Sequence, residues 1–397
     1  MNGPRRVFAA FSSEEMLRES GRLPFAVLNP FVRAGYEVRV YDNLSARLAA
    51  FYQRDEVNLP ETARLTLSMP GVEFTSRMPD DPGEFLYLFD RPLEAARGRA
   101  WRRRLQVRFD LFAPYWLRAP VIAPYGMHPA QAMRATPEVL AQLRASPRRM
   151  RVLFAGDSQG YVRNRVRYPG PKLPRLEVLT TLKERLGDAI VAVSRSDQID
   201  QLCDSGFVDR FVLSDSGSGI LPSDWLPTLA KADFFLCPPG IVMPMCHNVI
   251  EAMAVGTIPL ISYAEWLHPN LQHLTNCIVF DGEDDLVEKM RLALSMPEPQ
   301  VKAMRANVVA YYESHLRPEV IVSAIERRPE RDVTLLLYTE LNMARNSSKL
   351  NPNSVVIRGP DGGGPLRWIG RAIDRHMPRW LGGRWRKPTS PCASGSR

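Results

Sequence analysis

The chain has 397 residues, long enough for two ordinary domains, and 45% of them are hydrophobic, enough to fill a core in each. No apolar run approaches the length of about 18 residues that a membrane-spanning helix needs. The net charge of +9 is uneven: residues 363–397 hold seven Arg and one Lys against one Asp, which leaves +2 for everything before them. A near-neutral body argues against nucleic acid as a partner, and the basic tail has an electrostatic role of its own.

Five cysteines (Cys203, Cys237, Cys246, Cys277 and Cys392) show no C-x-x-C spacing. Small buried thiols in a reducing cytoplasm fit this pattern better than a disulfide framework or a structural zinc. The N-terminal "MNGPRRVFAAFSS" reads as a first buried strand and not as a secretory leader.

In chain order, "RVFAAF" (6–11) predicts a strand and "PFAVLNPFVRAG" (24–35) a helix stopping at Gly35. "YEVRVYDN" (36–43), "VEFTS" (72–76), "EFLYLFD" (84–90) and "PVIAPYG" (120–126) predict further strands. "SPRRM" (146–150) reads as a linker, after which the pattern restarts with "RVLFAGDSQG" (151–160). A helix over 177–187, strands over 189–194 and 207–214, and a short helix over 224–232 follow. Then come "DFFLCPPG", a helix over 247–256, strands over 257–262 and 277–282, and helices over 283–296 and 297–316. Alternating strand and helix in both halves predicts an α/β chain with two Rossmann-like domains facing across a cleft. The boundaries expected are 1–148, 149–325, a C-terminal helix over 326–345, and a basic amphipathic tail over 346–397.

The stretch "LAKADFFLCPPGIVMPMCHNVIEAMAVGTIPLIS" (229–262) carries a resemblance. It is similar to the donor-binding region of GT-B glycosyltransferases, and in particular of the exostosin-like group. There a Cys-Pro-Pro-Gly run precedes a helix with Glu-Ala and then Gly-x-Ile-Pro. A weaker likeness extends from residue 152 to residue 316. The resemblance implies a GT-B fold, two Rossmann-like domains, and transfer of a sugar from a nucleoside-diphosphate donor, most simply UDP.

The resemblance assigns Glu251 to the ribose hydroxyls. The helix N-terminus, with its free N–H groups, suits the diphosphate, and Gly240, Met245, Cys246, His247 and Asn248 would line that approach. Two departures stand out. Many retaining relatives carry a second Glu where this chain has Met243, which tips the expectation toward inversion. Exostosin-like proteins often have Arg where this chain has Asn248. The expected substitute is "GDSQGYVRNRVRYPGPK" (156–172). Gly156, Ser158 and Gly160 permit close backbone approach there, and Arg163, Arg165 and Arg167 supply charge. Ser194 and Arg195, after another strand, are a weaker candidate of the same kind.

No metal is expected: there is no DxD pair, "DGEDD" (281–285) reads as a helix start, and the six His lack paired ligand spacing. The nucleotide sugar would be a co-substrate, with no further cofactor. An inverting transferase needs a base for the acceptor hydroxyl. Asp42 and Asp90, at strand ends of the first half, and His128, after another strand, are the candidates. Turn formation is the plain alternative for both Asp, and a structural role for the His.

"GPLRWIGRAIDRHMPRWLGGRWRK" (364–387) puts Leu366, Ile369, Ile373, Met377 and Trp380 on one helical stripe, with Arg off it. That is the pattern of a helix lying in an anionic membrane surface. "RGRAWRRRLQVRFDLFAPYWLRAP" (97–120) mixes Arg with Trp101 and Trp116 and is a second expected membrane contact. The acceptor would then be a glycan or lipid-linked glycan at the inner face of a membrane, the enzyme being cytoplasmic and peripheral. A nucleotide-sugar epimerase and a non-catalytic scaffold are the competing readings.

Overall fold

The computed structural model describes residues 5–41, 44–55, 57–112, 120–157, 172–214, 219–350 and 354–358. Residues 1–360 form one compact unit; the remainder, 361–397, lies outside the described residues.

Thirteen strands are described. In the first half they are β1 (Arg6–Ala10), β2 (Glu37–Tyr41), β3 (Val72–Thr75), β4 (Phe85–Phe89), β5 (Arg103–Arg108) and β6 (Val121–Ile122). Then come β7 (Met150–Ala155), β8 (Ile190–Val193), β9 (Val208–Ser214), β10 (Ala232–Cys237), β11 (Ile258–Ile261), β12 (Ile278–Val279) and β13 (Asp332–Leu336). They make two sheets, ordered β3-β2-β1-β4-β5-β13-β6 and β12-β11-β10-β7-β9-β8. Every pairing is parallel. This is the predicted pair of doubly wound α/β halves. Its inner strands read as unbroken apolar runs because parallel sheets are covered on both faces. All six residues of β10 and all five of β4 are buried.

Strand order fixes where ligands can sit. In the second sheet the chain runs from β7 out to β8, returns to β9, and then crosses to β10 on the other side of β7. The crevice between the carboxyl ends of β7 and β10 is therefore a switch point, where open α/β sheets bind their ligands. The corresponding point in the first sheet lies between β1 and β4.

Two expectations need correction. Residues 326–345 are not a C-terminal helix. They contain β13, which enters the first sheet between β5 and β6 and pairs Leu335 with both Val107 and Val121. A short helix, Glu340–Asn346, follows. The helix Pro318–Glu326 also crosses back onto the first half, where Arg33 Nε meets Glu319 Oε1 at 3.3 Å. The first half is thus built from both ends of the chain. A strand wins here because the slot between β5 and β6 buries Val333, Leu335 and Leu336.

The second correction concerns residues 97–120. Trp101 is 2% exposed. It stacks on Tyr87 with ring centroids 4.5 Å apart and on Phe8 at 5.6 Å, and its Nε1–H donates to Ala96 O. Residues 103–108 are β5, with Leu105 and Val107 buried. Arg103, Arg104 and Arg108 belong to this strand, whose Leu105 and Val107 enter the core, and Trp101 is not available to a membrane; Trp116 lies outside the described residues. Among the described residues no helix is long and apolar enough to cross a membrane.

Candidate active site

A cavity of about 360 Å³ opens at the β7/β10 switch point. Ala155, Gly156 and Asp157, at the end of β7, form one wall, and Cys246, His247, Asn248 and Glu251 form another. Arg175 closes it from the helix Arg175–Leu186, and Trp225 from the helix Trp225–Ala230. His128 and Gln131 reach it from the first half.

The helix His247–Ala254 starts after a tight loop. Gly240 makes that loop possible: a Cβ there would meet Met243 O at 2.7 Å and Met245 O at 3.2 Å. Its N–H donates to Pro244 O at 3.1 Å. Gly240 and Met245 do not line the cavity, and Met245 is buried behind it. Their part is to set the start of the helix.

Glu251 differs from its expected setting. It lies one turn into the helix and is 0% exposed. One oxygen accepts the backbone N–H of His128 at 2.9 Å and the other the Trp225 Nε1–H at 2.6 Å. His247 Nδ1, one turn earlier, lies 3.0 Å from both. A carboxylate so engaged is not presented as a bare acceptor for ribose hydroxyls. It ties the first half to the second and anchors an imidazole in the wall.

Charges follow from this geometry. Desolvation alone would raise the Glu251 carboxyl, but the His247 charge and the hydrogen bonds from His247, His128 and Trp225 bring it below the usual carboxylate range. Desolvation likewise works against a charged His247, and the Glu251 and Cys246 charges outweigh it, so the imidazole is held above its ordinary value. The result is an imidazole held toward its protonated form, its side chain 33% exposed and pinned from beneath by a carboxylate. Cys246 follows the same pattern: burial opposes its thiolate, and His247, Arg175 and the Asn248 N–H prevail and lower it.

Arg175 is the second cation of the cavity. It is buried, donates from Nη1 to Asp157 O at 3.1 Å, and brings Nη2 to 3.9 Å from Cys246 Sγ. The sequence reading passed over it. The available signal was Pro174 at the helix boundary, which places Arg175 in the first turn facing the carboxyl edge of the sheet.

His128 sits 5.7 Å, ring to ring, from His247. Its Nδ1 accepts the Ala130 N–H at 3.3 Å and so caps the helix Pro129–Arg134. Burial, and then the His247 charge, lower its pKa. It is therefore a neutral ring whose hydrogen is on Nε2, with its basic nitrogen engaged. Arg22 braces this loop, donating from Nη1 to Tyr125 OH at 2.6 Å and from Nη2 to Gly126 O at 3.4 Å.

Asp90 stands at the first sheet's switch point, away from the cavity. It accepts the N–H groups of Ser12, Ser13 and Arg91 at 2.8, 2.7 and 2.7 Å, and the Ser13 hydroxyl. That is the turn role the sequence also allowed. Ser194 and Arg195 follow β8, the edge strand, two strands from β7. The Arg195 side chain pairs with Asp197, Nε to Oδ1 at 2.8 Å, and neither residue lines the cavity. Gly156, His247, Asn248, Glu251 and His128 do come together. Asp42, Ser158, Gly160, Arg163, Arg165 and Arg167 lie outside the described residues, as does 364–387.

No protein family matches the chain, and no curated protein matches it. Solved structures similar to it include glycosyltransferases. Anabaena HepE in complex with UDP aligns with a TM-score of 0.40 at 12% identity, covering 81% of this chain and 98% of that one. A glycosyltransferase from Rickettsia africae gives 0.41 at 8% identity, covering 82% and 97%. An alpha-glucosyltransferase in complex with UDP and a 13-mer DNA gives 0.42 at 11% identity, covering 82% and 99%.

Proposed function

We propose that this chain is a glycosyltransferase that moves a sugar from a nucleoside-diphosphate donor, a UDP-sugar in the first instance, to a hydroxyl of a glycan or lipid-linked glycan. One observation carries the reading. Two basic side chains, Arg175 and the Glu251-held His247, whose pKa is raised by that carboxylate, stand on the wall of a cavity at the β7/β10 switch point. A diphosphate leaving group needs its growing charge neutralised, and fixed cations in a shielded site do this without reorganising. Arg can fork onto phosphate oxygens, and an imidazolium adds one directed N–H. In this reading they fill the part that an Arg at position 248 would have in the exostosin-like pattern, and neutralisation proceeds without a metal.

The acceptor enters from the first half, across from the donor wall. The reading includes inversion, with Met243 in the place of the retaining-type glutamate. It also includes work at the inner face of a membrane, reached through the basic tail.

A thermal-shift screen against UDP, GDP, CMP and dTDP tests the donor site. Ligands that bind the native state stabilise it by mass action, and we expect one nucleoside diphosphate to raise the melting temperature well above the others. No shift with any of the four would remove the donor-site assignment. Labelled nucleotide sugar of the matching class then separates transfer to an acceptor from isomerisation of the donor.

A further inference from the structure

We propose that Gln131 and Asn248, one from each half of the molecule, accept hydrogen bonds from hydroxyl groups of the bound donor. This rests on the donor-site reading. Phosphates bring only acceptors, which Arg175 and His247 answer. The sugar moieties bring hydroxyl donors, and these need acceptors in the wall. Glu251 is already engaged with His128, Trp225 and His247.

Gln131 lines the cavity and is 4% exposed. Its Nε2 donates to Pro222 O at 2.8 Å, which fixes the amide orientation, since the flipped form would set oxygen against oxygen. Its Oε1 has no hydrogen-bond partner among the described residues. Asn248, on the facing wall, has an Oδ1 in the same condition. Native structures rarely leave buried acceptors unanswered, and two in the lining of one cavity mark where a ligand supplies the donors.

The hydroxyls belong either to the ribose or to the transferred sugar, and calorimetric titration tells them apart. Wild type and Gln131→Met are titrated with UDP, with 2′-deoxy- and 3′-deoxy-UDP, and with UDP-glucose. We expect the variant to bind UDP or UDP-glucose about three- to tenfold more weakly. If UDP is already affected, the hydroxyl is the ribose's; one deoxy analogue then loses affinity for wild type and nothing further for the variant. If only UDP-glucose is affected, the hydroxyl is the transferred sugar's. Asn248→Ala, which leaves the Gln131–Pro222 link intact, should show the same kind of selective loss. Unchanged affinity in both variants overturns the proposal. So does an equal loss for all four ligands, which would mean the link to Pro222 matters and not the acceptor. Wild type that binds none of the four takes down the UDP-sugar form of the donor-site reading, and this proposal with it.

Discussion

His247 Nδ1 sits 3.0 Å from each carboxylate oxygen of Glu251, one helical turn away, and the two side chains form a single charged unit in the cavity wall. The carboxylate is fully buried and the imidazole is not. The pair therefore turns its imidazole, held toward the protonated form, to the cavity. A motif that suggests an exposed acid thus sets an imidazole in the cavity wall, with the acid buried behind it.

Affinity for a nucleoside diphosphate should depend on pH through this pair. Glu251, Cys246, Arg22 and His128 are the titratable and charged groups that act on the His247 ring. Glu251 and Cys246 raise its pKa above the ordinary 6.5. A raised histidine contributes fully below the unfolded value and loses that contribution as pH rises through the folded one. UDP affinity should accordingly hold near pH 6 and decline on the alkaline side. Titration of wild type and His247→Gln across this range checks it. The variant should be weaker at low pH and show a flatter alkaline limb; parallel curves would count against an imidazolium at the phosphates.

Removing Glu251 should harm stability as well as binding. Glu251→Ala leaves the Trp225 indole N–H and the His128 N–H without their acceptor and strands the His247 charge. Breaking one side of a buried pair costs about 3 kcal/mol. Urea unfolding is expected to show a lower midpoint, with Glu251→Gln less affected because it keeps one acceptor. A variant as stable as wild type that merely loses nucleotide would show that the carboxylate is free for the ligand after all.

Arg175 offers a separation of phosphate from nucleoside. A hydrogen bond to a charged group contributes about 1.5 to 3 kcal/mol. Arg175→Met should thus weaken UDP by roughly ten- to a hundredfold and leave uridine nearly unchanged. Equal losses for both ligands would mean that Arg175 only shapes the wall.

Gly240 should tolerate no side chain. A Cβ would press on Met243 O at 2.7 Å, which is backbone and cannot swing away. Gly240→Ala is expected to destabilise the chain by about 1 to 3 kcal/mol as the loop before the helix shifts. Unfolding curves at matched conditions give the value. A neutral result would show that the loop is slack.

The halves and the 234–262 region could be read from sequence for a physical reason. Parallel strands buried on both faces appear as apolar runs, and Gly35, Gly187 and Gly256 mark the helix ends. What stayed hidden depends on partners distant in the chain. Glu251 meets Trp225 across 26 positions and His128 across 123. "DVTLLLY" after a long helical stretch reads equally well as more helix, and only the slot between β5 and β6 decides otherwise. Trp101 among five arginines looked like a surface anchor because nothing local reveals the Phe8 and Tyr87 rings that stack on it.

With Trp101 in the core, the membrane proposal rests on residues 364–387. Their apolar stripe, the tryptophans Trp368, Trp380 and Trp385, and the concentration of arginine in 363–397 all favour an anionic surface. Each basic residue near such a surface contributes about 1 kcal/mol, so the seven Arg and one Lys suffice for docking. The attraction should weaken as salt screens it. Co-sedimentation with vesicles, with and without anionic lipid, compares the full chain with one ending at Gly363. We expect the full chain to pellet with anionic vesicles at low salt and the shortened chain to stay in solution. Both should show the same thermal unfolding, because residues 1–360 form a compact unit without the tail. Equal binding by the two forms would move the anchor elsewhere on the surface. Failure of both to bind would leave a soluble acceptor as the partner of the same transferase site.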